Sequence, residues 1–246
     1  MSDIVFRKEN GVYEIELDRP SKKNALTESM YIELNNGLLE AEADPEVRVV
    51  LIYGQPFCFT AGNDLKDFVE NPPLTNDAPT FVMLRTMANF VKPIVLAIDG
   101  PAVGIGTTIC LHADLIYCGE SSRFQLPFAR LALVPEFASS YLLPRLTGHV
   151  KAFELLVLGE PFDAQTAKQI GMVNEVLEDE HYITAAKQKA LDLAALPAEA
   201  VQESKRLLKR PVLAAINETL IEEASVFSRL LVSPAAKEKF AAFLKK

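Results

Sequence analysis

Three nearly uninterrupted apolar runs set the strongest constraint on how this chain can fold. They span residues 47–53, 94–98 and 115–118 and, apart from Arg48, contain no charged residue. Successive side chains of a strand point to opposite faces of a sheet, so strands of this kind are covered on both faces. The runs therefore predict a central, largely parallel sheet between other layers, which is an α/β fold.

The segments before the first run predict a hairpin followed by a helix. Residues 3–18 alternate between polar and apolar side chains on either side of Asn10-Gly11, a pair that favours a tight turn. Thr27 is a good helix-capping residue. It predicts a helix to about Ala43, with one apolar face made of Tyr31, Leu34, Leu38 and Ala41.

The last third of the chain predicts helices at residues 152–158, 163–170, 185–196, 198–209 and 212–232. In the last of them the apolar residues recur every three or four positions, which forms one stripe: Leu213, Ile216, Leu220, Ala224, Phe227 and Leu231. A terminal helix with such a stripe, attached to a complete core, often packs across a subunit boundary. The stripe therefore favours an oligomer.

The composition limits the function classes. The 246 residues are 49% hydrophobic and 24% charged, enough for one large domain, or one with a helical appendage, to bury a core. The net charge of −8 argues against a nucleic-acid-binding surface, although a local basic patch can still hold a phosphorylated small molecule. No apolar run reaches the ~18 residues that span a bilayer, so no membrane partner is expected.

Cysteines and histidines are too scattered to predict a disulfide framework or a zinc site. No Cys-x-x-Cys pair occurs, and the residues concerned are Cys58, Cys110, Cys118, His112, His149 and His181. We therefore expect no bound metal and a reduced, cytoplasmic location.

Two glycine-bearing turns are candidates for binding an oxyanion. Residues 59–65 lead through Gly62 into a helix start, and residues 100–106 do the same through Gly104 and Gly106. Glycine lets the backbone approach a ligand, and the first N–H groups of a helix lack internal partners. For Asp64, capping of its helix is favoured over ligand binding. Neither turn matches a dinucleotide or Walker motif, so nucleotide chemistry is set aside.

Glu136 is the candidate acid or base. Its apolar neighbours Leu133, Val134 and Phe137 would raise its pKa, whereas a helix N-terminus directly after Pro135 would lower it. The alternative is an ordinary acid in the first turn of that helix, and the pattern leaves this open. Ser139, Ser140 and His149 do not form a hydrolase motif, because no Gly-x-Ser-x-Gly segment occurs.

Several motifs together resemble the crotonase superfamily of enoyl-CoA hydratases and isomerases over essentially the whole chain. They lie at residues 19–26, 61–65, 100–104, 114–117, 124–128 and 159–173. The segment Pro135-Glu136-Phe137-Ala138-Ser139-Ser140-Tyr141 is most similar to the peroxisomal type of Δ3,Δ2-enoyl-CoA isomerase.

This resemblance implies a fold and an assembly. The fold is a spiral of ββα units that carries the acyl-CoA site, over residues 1–195, followed by a C-terminal helical oligomerisation region over residues 196–246. Members of this superfamily form trimers or dimers of trimers. Coenzyme A is implied only as part of the thioester substrate, with no metal or redox cofactor.

The resemblance also implies roles for individual residues. The backbone N–H groups of Asn63 and Ile105 would hold the thioester oxygen, and Glu136 would be the base. The substrate would be bound by the loops that contain Lys22, Lys23, Ala25, Ala61, Gly62, Asn63, Asp64, Leu65 and Gly104. Phe68, Val69, Met83, Met87 and Phe90 fit either an acyl pocket or core packing.

Departures from the family pattern decide which reaction is favoured. Thr108 and Phe128 occupy the positions of the two glutamates that hydratases use, and efficient hydration needs both acids. A 1,3-proton shift needs one carboxylate, so an isomerase of fatty-acid β-oxidation or a similar acyl-CoA pathway is the leading hypothesis. Hydration or acyl-CoA hydrolysis, and a non-catalytic acyl-CoA-binding protein, are the alternatives.

Overall fold

The computed structural model describes residues 2–244 and has a six-stranded sheet at its centre. Its spatial order is β1-β2-β3-β4-β6-β9, where only β1 and β2 are antiparallel. A second sheet has the order β5-β7-β8. The strands are β1 Ile4–Glu9, β2 Val12–Leu17, β3 Val49–Tyr53, β4 Ile94–Ile98, β5 Pro101–Val103, β6 Leu115–Gly119, β7 Arg123–Gln125, β8 Phe162–Asp163 and β9 Glu175–Leu177.

The three apolar runs form β3, β4 and β6, the parallel centre of the large sheet, as predicted. Alternate residues of β3 face opposite sides of it. Val50 and Ile52 join the main core, whereas Val49 and Leu51 pack with a smaller cluster. Both faces of these strands are therefore buried, which explains why their sequences lack polar alternation.

Ten α-helices cover the sheets within residues 2–244. They are α1 Glu28–Ala43, α2 Leu65–Glu70, α3 Pro79–Asn89, α4 Ile105–Thr108, α5 Ser139–Thr147, α6 His149–Phe153, α7 Ala164–Gln169, α8 Tyr182–Ala194, α9 Ala198–Leu231 and α10 Pro234–Leu244. The predicted hairpin and the predicted cap of α1 are confirmed, with the Thr27 side chain accepting a hydrogen bond from Met30 N at 3.4 Å. The sequence analysis missed α3 and α10, and it expected α5 to begin directly after Pro135 rather than at Ser139.

The long helix α9 corrects one prediction and removes the support for another. Residues 198–209 and 212–232 were expected to be separate helices, but one helix of 34 residues runs through Pro211. Proline removes one backbone donor from such a helix and crowds the preceding turn, which tertiary packing offsets here. The apolar stripe also packs within its own chain, where Phe227 lies edge-on against Phe68 and Phe81. It therefore gives no support for a subunit contact.

The predicted acyl-pocket residues divide between core and surface. Phe68, Met83, Met87 and Phe90 are buried in the main core, whereas Val69 is exposed. Core packing accounts for the four buried residues. Among residues 2–244, no helix combines the length and the hydropathy that crossing a bilayer requires.

Consecutive strands that belong to different sheets position the second glycine turn. After β4 ends in the large sheet, the chain turns at Gly100 and continues as β5 in the small sheet, before α4 begins. A side chain at Gly100 would place its Cβ 2.0 Å from the Phe57 carbonyl oxygen, and the φ angle there is +64°. The position therefore requires glycine, and the ββα connection stays tight.

An ion pair between the buried Lys205 and Asp114 fixes α9 to the large sheet. The Lys205 side chain, 6% exposed, donates to Lys92 O at 2.7 Å and to Asp114 Oδ2 at 2.7 Å. Asp114 also accepts from Ile94 N at 2.8 Å, at the start of β4. The pair therefore joins α9 to the start of β4, at the centre of the large sheet.

We expect Lys205→Met to lower the free energy of unfolding by about 2 kcal/mol, because the Lys92 carbonyl loses the Lys205 donor and the Asp114 carboxylate keeps only Ile94 N. The measurement is urea unfolding at pH 7. Arg206→Ala on the same helix, where the side chain is 57% exposed, is the matched control and should leave the urea midpoint nearly unchanged. Equal effects of the two substitutions would contradict the role of the Lys205–Asp114 pair.

Candidate active site

The first glycine turn is held in place by a parallel bridge to the loop before α1. Leu26 N donates to Gly62 O at 2.8 Å and Leu26 O accepts from Asp64 N at 2.8 Å. This pairing turns the N–H group of Asn63 away from Leu26, and it has no hydrogen-bond partner within residues 2–244. Asn63 therefore offers a free backbone donor, as the sequence analysis expected.

The second turn lies directly against the first. Thr60 and Ala102 form a parallel bridge, and a Cβ atom at Gly62 would lie 2.7 Å from Val103 O. Ile105 is the first residue of α4, and its N–H also lacks a partner among the described residues. A Cβ at Gly104 would meet no atom within 4 Å, so the space beside this turn is open. The structure thus brings two glycine turns together, each with at least one N–H group that has no partner among the described residues.

Asn24, a motif residue to which the sequence analysis gave no role, connects the loop before α1 to the first glycine turn. It is fully buried, and its amide donates to Cys58 O and Phe59 O, both at 3.1 Å. Thr60 Oγ1 donates back to Asn24 O at 2.6 Å and accepts from Gly62 N at 3.0 Å. The first turn is therefore rigid before any ligand arrives.

The predicted coenzyme-binding residues lie on the loop beside this turn. Lys22 and Lys23 are exposed and Ala25 is half-buried. Lys23 O accepts from Ala61 N at 2.8 Å, and neither lysine takes part in an ion pair within the part of the chain that is described. Both ammonium groups are therefore available to a phosphate next to the turn.

Asp64 caps α2, as the sequence analysis favoured. Its carboxylate accepts from Lys66 N at 3.1 Å and Asp67 N at 3.2 Å, and it pairs with Arg19 at 2.8 Å. Burial alone would raise the pKa of Asp64, but the hydrogen bonds from Arg19 and Asp67 N hold it below its usual value. Leu65, the next residue, is half-buried and begins the helix.

The side chain of Asn63 is fixed by Tyr31, which the sequence analysis assigned only to the core. The Tyr31 hydroxyl donates to Asn63 Oδ1, and Tyr31 is fully buried. Burial, with a contribution from the charge of Glu136, raises the pKa of Tyr31 well above its usual value. Tyr31 therefore stays neutral and lies near both the first turn and the candidate base.

Glu136 does not lie in a helical first turn. Helix α5 begins only at Ser139, and Phe137 and Ala138 have left-handed φ angles of 59° and 52°. This turn directs the Glu136 side chain inward, where the residue is 3% exposed. The alternative of an ordinary acid in the first turn of that helix is therefore wrong.

The carboxyl group of Glu136 has one hydrogen-bond donor, the Thr108 hydroxyl, at 2.8 Å from Oε1. Burial raises the pKa of Glu136 to about 8, against the lowering effect of Thr108 and with a further rise from the charge of Glu223. Thr108, which the resemblance places where hydratases have one of their acids, therefore contacts the candidate base directly. Phe128, at the other position, is buried in the core.

Glu223 and His112 support the Glu136 turn and were both missed. Glu223 accepts from Ala138 N at 2.6 Å, and His112 Nε2 lies 2.7 Å from Phe137 O. Burial lowers the pKa of His112 to about 3, so the ring is neutral and its Nε2–H donates. The signal for Glu223 was its position between Leu220 and Ala224, because an acid on an apolar helix face needs buried partners.

A small cavity of about 10 Å³ lies beside Glu136. It is lined by Phe81, Leu84, Arg85, Glu136, Phe137, Leu220, Glu223 and Ala224. The walls are mostly apolar, which accounts for the desolvation of the two acids.

The other candidate groups do not assemble into a site. The Ser139 hydroxyl donates to Glu136 O at 2.6 Å and His149 is exposed, so no hydrolase arrangement forms. One group of possible metal ligands is found among residues 2–244. Its members Glu178, Glu180 and His181 are all exposed and do not belong to the site around Glu136.

The site combines free backbone N–H groups with a buried acid that is uncharged when the site is empty, an arrangement suited to stabilising an oxyanion and moving a proton. The family model for enoyl-CoA hydratase/isomerase matches residues 7–246. The chain therefore belongs to this family, the crotonase superfamily, and is an enzyme of the hydratase/isomerase type.

Individual relatives agree with this assignment. The structure of Pseudomonas aeruginosa OdaA superimposes with a TM-score of 0.98 at 44% identity, covering 100% of both chains. The 1,2-epoxyphenylacetyl-CoA isomerase of Escherichia coli is 33% identical over 80% of this chain and 78% of its own. The peroxisomal enoyl-CoA delta isomerase 3 of Mus musculus is 31% identical over 85% of this chain and 67% of its own. The predicted fold class is confirmed.

The raised pKa of Glu136 predicts a stability that falls with pH. Between the ordinary value of 4.5 and about 8, the folded protein keeps a proton that the unfolded chain has lost. The free energy of unfolding should therefore decrease from pH 5 to pH 8, by about 3 kcal/mol from this group alone. Urea unfolding of the wild type and of Glu136→Gln at several pH values isolates the effect, because glutamine does not titrate. Parallel pH dependences in the two proteins would contradict the raised pKa.

Proposed function

We propose that the protein is a Δ3,Δ2-enoyl-CoA isomerase that shifts the double bond of a 3-enoyl-CoA to the 2-position. The observation that carries the proposal is the carboxyl group of Glu136, the one at the site with free acceptor capacity among residues 2–244, where its only hydrogen-bond donor is the Thr108 hydroxyl. Relatives named as enoyl-CoA delta isomerases support it.

The proposed step is a 1,3-proton transfer. The Glu136 carboxylate removes a proton from C2 of the thioester, which forms a dienolate, and the resulting carboxylic acid returns a proton at C4. The N–H groups of Asn63 and Ile105 stabilise the negative oxygen of the dienolate, and one donor of this kind typically lowers the barrier by about 3 kcal/mol. Coenzyme A enters only as part of the substrate, and the step as proposed uses no metal or redox group.

Hydration is the less favourable alternative because it needs a second acid or base to activate water. Glu223 lines the same cavity, but its Oε1 accepts from Ser140 N and the Ser140 hydroxyl and its Oε2 accepts from Ala138 N. Its acceptor positions are therefore committed to the backbone turn. Thr108 has a hydroxyl where a hydratase has a carboxylate, and a hydroxyl does not take up a proton near neutral pH.

Pathway, assembly and location are proposed on the family resemblance alone. We propose a role in fatty-acid β-oxidation or a similar acyl-CoA pathway, in the cytoplasm. A trimer or a dimer of trimers remains a prediction, now without the support of the α9 stripe.

We expect Glu136→Gln to lower kcat for conversion of a 3-enoyl-CoA to its 2-enoyl product by roughly 10³-fold, because the proton shuttle is lost. The assay follows the absorbance of the conjugated thioester. Binding of a saturated acyl-CoA should change less than about threefold, since the backbone donors are untouched.

The matched control is Glu222→Gln, which changes an exposed acid of α9 and should leave the rate unchanged. Equal rates in the wild type and Glu136→Gln would eliminate the shuttle. Rapid formation of 3-hydroxyacyl-CoA from a 2-enoyl-CoA would favour a hydratase instead. Tight binding of acyl-CoA with no exchange of the C2 proton in deuterated water would favour a binding protein.

We also propose that Lys22 and Lys23 bind the coenzyme A phosphates. The double variant Lys22→Gln/Lys23→Gln should raise KM by about tenfold at low salt, with kcat unchanged, because only uniform substrate binding is lost. The difference should shrink at high salt. Lys66→Gln, an exposed lysine on α2, is the control. A KM that the double variant leaves unaltered would place the phosphates elsewhere.

A further inference from the structure

The turn that aims Glu136 is conformationally unfavourable on its own. Phe137 and Ala138 both adopt the left-handed region, and each carries a Cβ atom that makes this region costly. Two consecutive residues of this kind persist only where other groups hold the backbone. The position of the candidate base therefore depends on the partners of this turn.

Glu223 supplies the main polar support from α9, 85 residues further along the chain. Its Oε2 accepts from Ala138 N at 2.6 Å, and its Oε1 accepts from Ser140 N at 3.0 Å and from the Ser140 hydroxyl. These donors lie on either side of Ser139, where α5 begins. One carboxylate thus caps the helix and fixes the left-handed turn together.

This carboxylate is buried beside Glu136 without a counter-charge. Glu223 is 7% exposed, and no ion pair within residues 2–244 includes it. Both acids line the same small cavity. Burial raises the pKa of Glu223 as well, but its hydrogen bonds from Ser140 and Ala138 N oppose this rise, and its charge when ionised raises the pKa of Glu136.

Other titratable groups around Glu136 do not cancel this charge. Tyr31 on α1 and His112 after α4 are both buried and neutral. Arg85 on α3 lines the cavity, but its guanidinium donates to Asn76 O at 2.6 Å, in an exposed contact. Glu223 is therefore the one group, among the described residues, whose charge shifts the pKa of Glu136.

We propose that Glu223 is a positioning residue for Glu136: it holds the left-handed turn at Phe137 and Ala138 and places a negative charge on the cavity that the base faces. Helix α9 thus takes part in the chemistry through a group that does not touch the substrate. The catalytic part of this inference rests on the proposed isomerase function, whereas the coupling between the two acids does not.

The test is the pH dependence of kcat/KM for Glu223→Gln. Removing the neighbouring charge makes Glu136 easier to ionise, so the midpoint of the rise in kcat/KM should move to lower pH by about one unit. The new side chain also carries an NH2 group, which cannot accept a hydrogen bond from a backbone N–H that the carboxylate oxygen had bound. The turn is then held less firmly, and kcat at high pH should fall by about tenfold. Residues that only stabilise the fold would leave the midpoint in place.

Two further variants keep the test decisive. Glu222→Gln, the exposed acid one residue earlier on α9, should keep the wild-type midpoint and kcat. Ser140→Ala removes only the hydroxyl donor and should lower kcat about threefold with KM unchanged, which tests the turn even if Glu223→Gln fails to fold. A wild-type kcat in Ser140→Ala and an unmoved midpoint in Glu223→Gln would overturn the proposal.

A measurement without substrate separates this inference from the proposed function. The effect of Glu136→Gln on the free energy of unfolding is measured at several pH values, once in the wild type and once in Glu223→Gln. It should grow less with pH in Glu223→Gln, because the pKa of Glu136 is lower there. If this coupling is found but no isomerase activity is detected, the proposed function fails and the coupling stands. If activity is normal and the coupling is absent, the inference alone fails.

Discussion

The desolvation of one carboxyl group, that of Glu136, is the constraint on which the candidate site depends. Within residues 2–244 it has no cationic partner and a single hydroxyl donor, Thr108, and the residue is 3% exposed. A carboxylate in such surroundings is unstable relative to its acid, so the empty site holds a proton. The charged form of Glu136 would be more stable in water. Its buried position is therefore maintained by other groups, which are the left-handed turn, helix α5 and Glu223 on α9.

The backbone donors follow from a different constraint, the pairing of irregular segments. The bridge between Leu26 and Asn63 uses alternate main-chain groups, which leaves the N–H of Asn63 free. The N–H of Ile105 is free because this residue begins α4. Glycine at 62 and 104 allows the two turns to touch. The buried parallel sheet makes this arrangement rigid, because its strands end at the same loops.

Local patterns in the sequence predicted the parts of the fold that local physics decides. The apolar runs identified β3, β4 and β6, and capping side chains located the starts of α1 and α2. Long-range packing decided the rest. The continuation of α9 through Pro211 depends on the core that it covers, and the left-handed Phe137 and Ala138 depend on Glu223, 85 residues from Ala138. Neither residue is a glycine, so no local signal marked this turn.

A base with a raised pKa suits a 1,3-proton shift. With a pKa of about 8, roughly a tenth of Glu136 is ionised at pH 7, which costs about 1.4 kcal/mol relative to full ionisation. In exchange, the ionised group is a stronger base than an exposed glutamate. In the proposed reaction, one group must accept the C2 proton and also release a proton at C4. A pKa near the working pH favours the two transfers about equally. A strongly acidic carboxyl would release protons readily but abstract them poorly, so burial beside Glu223 is consistent with one residue performing both halves of the reaction.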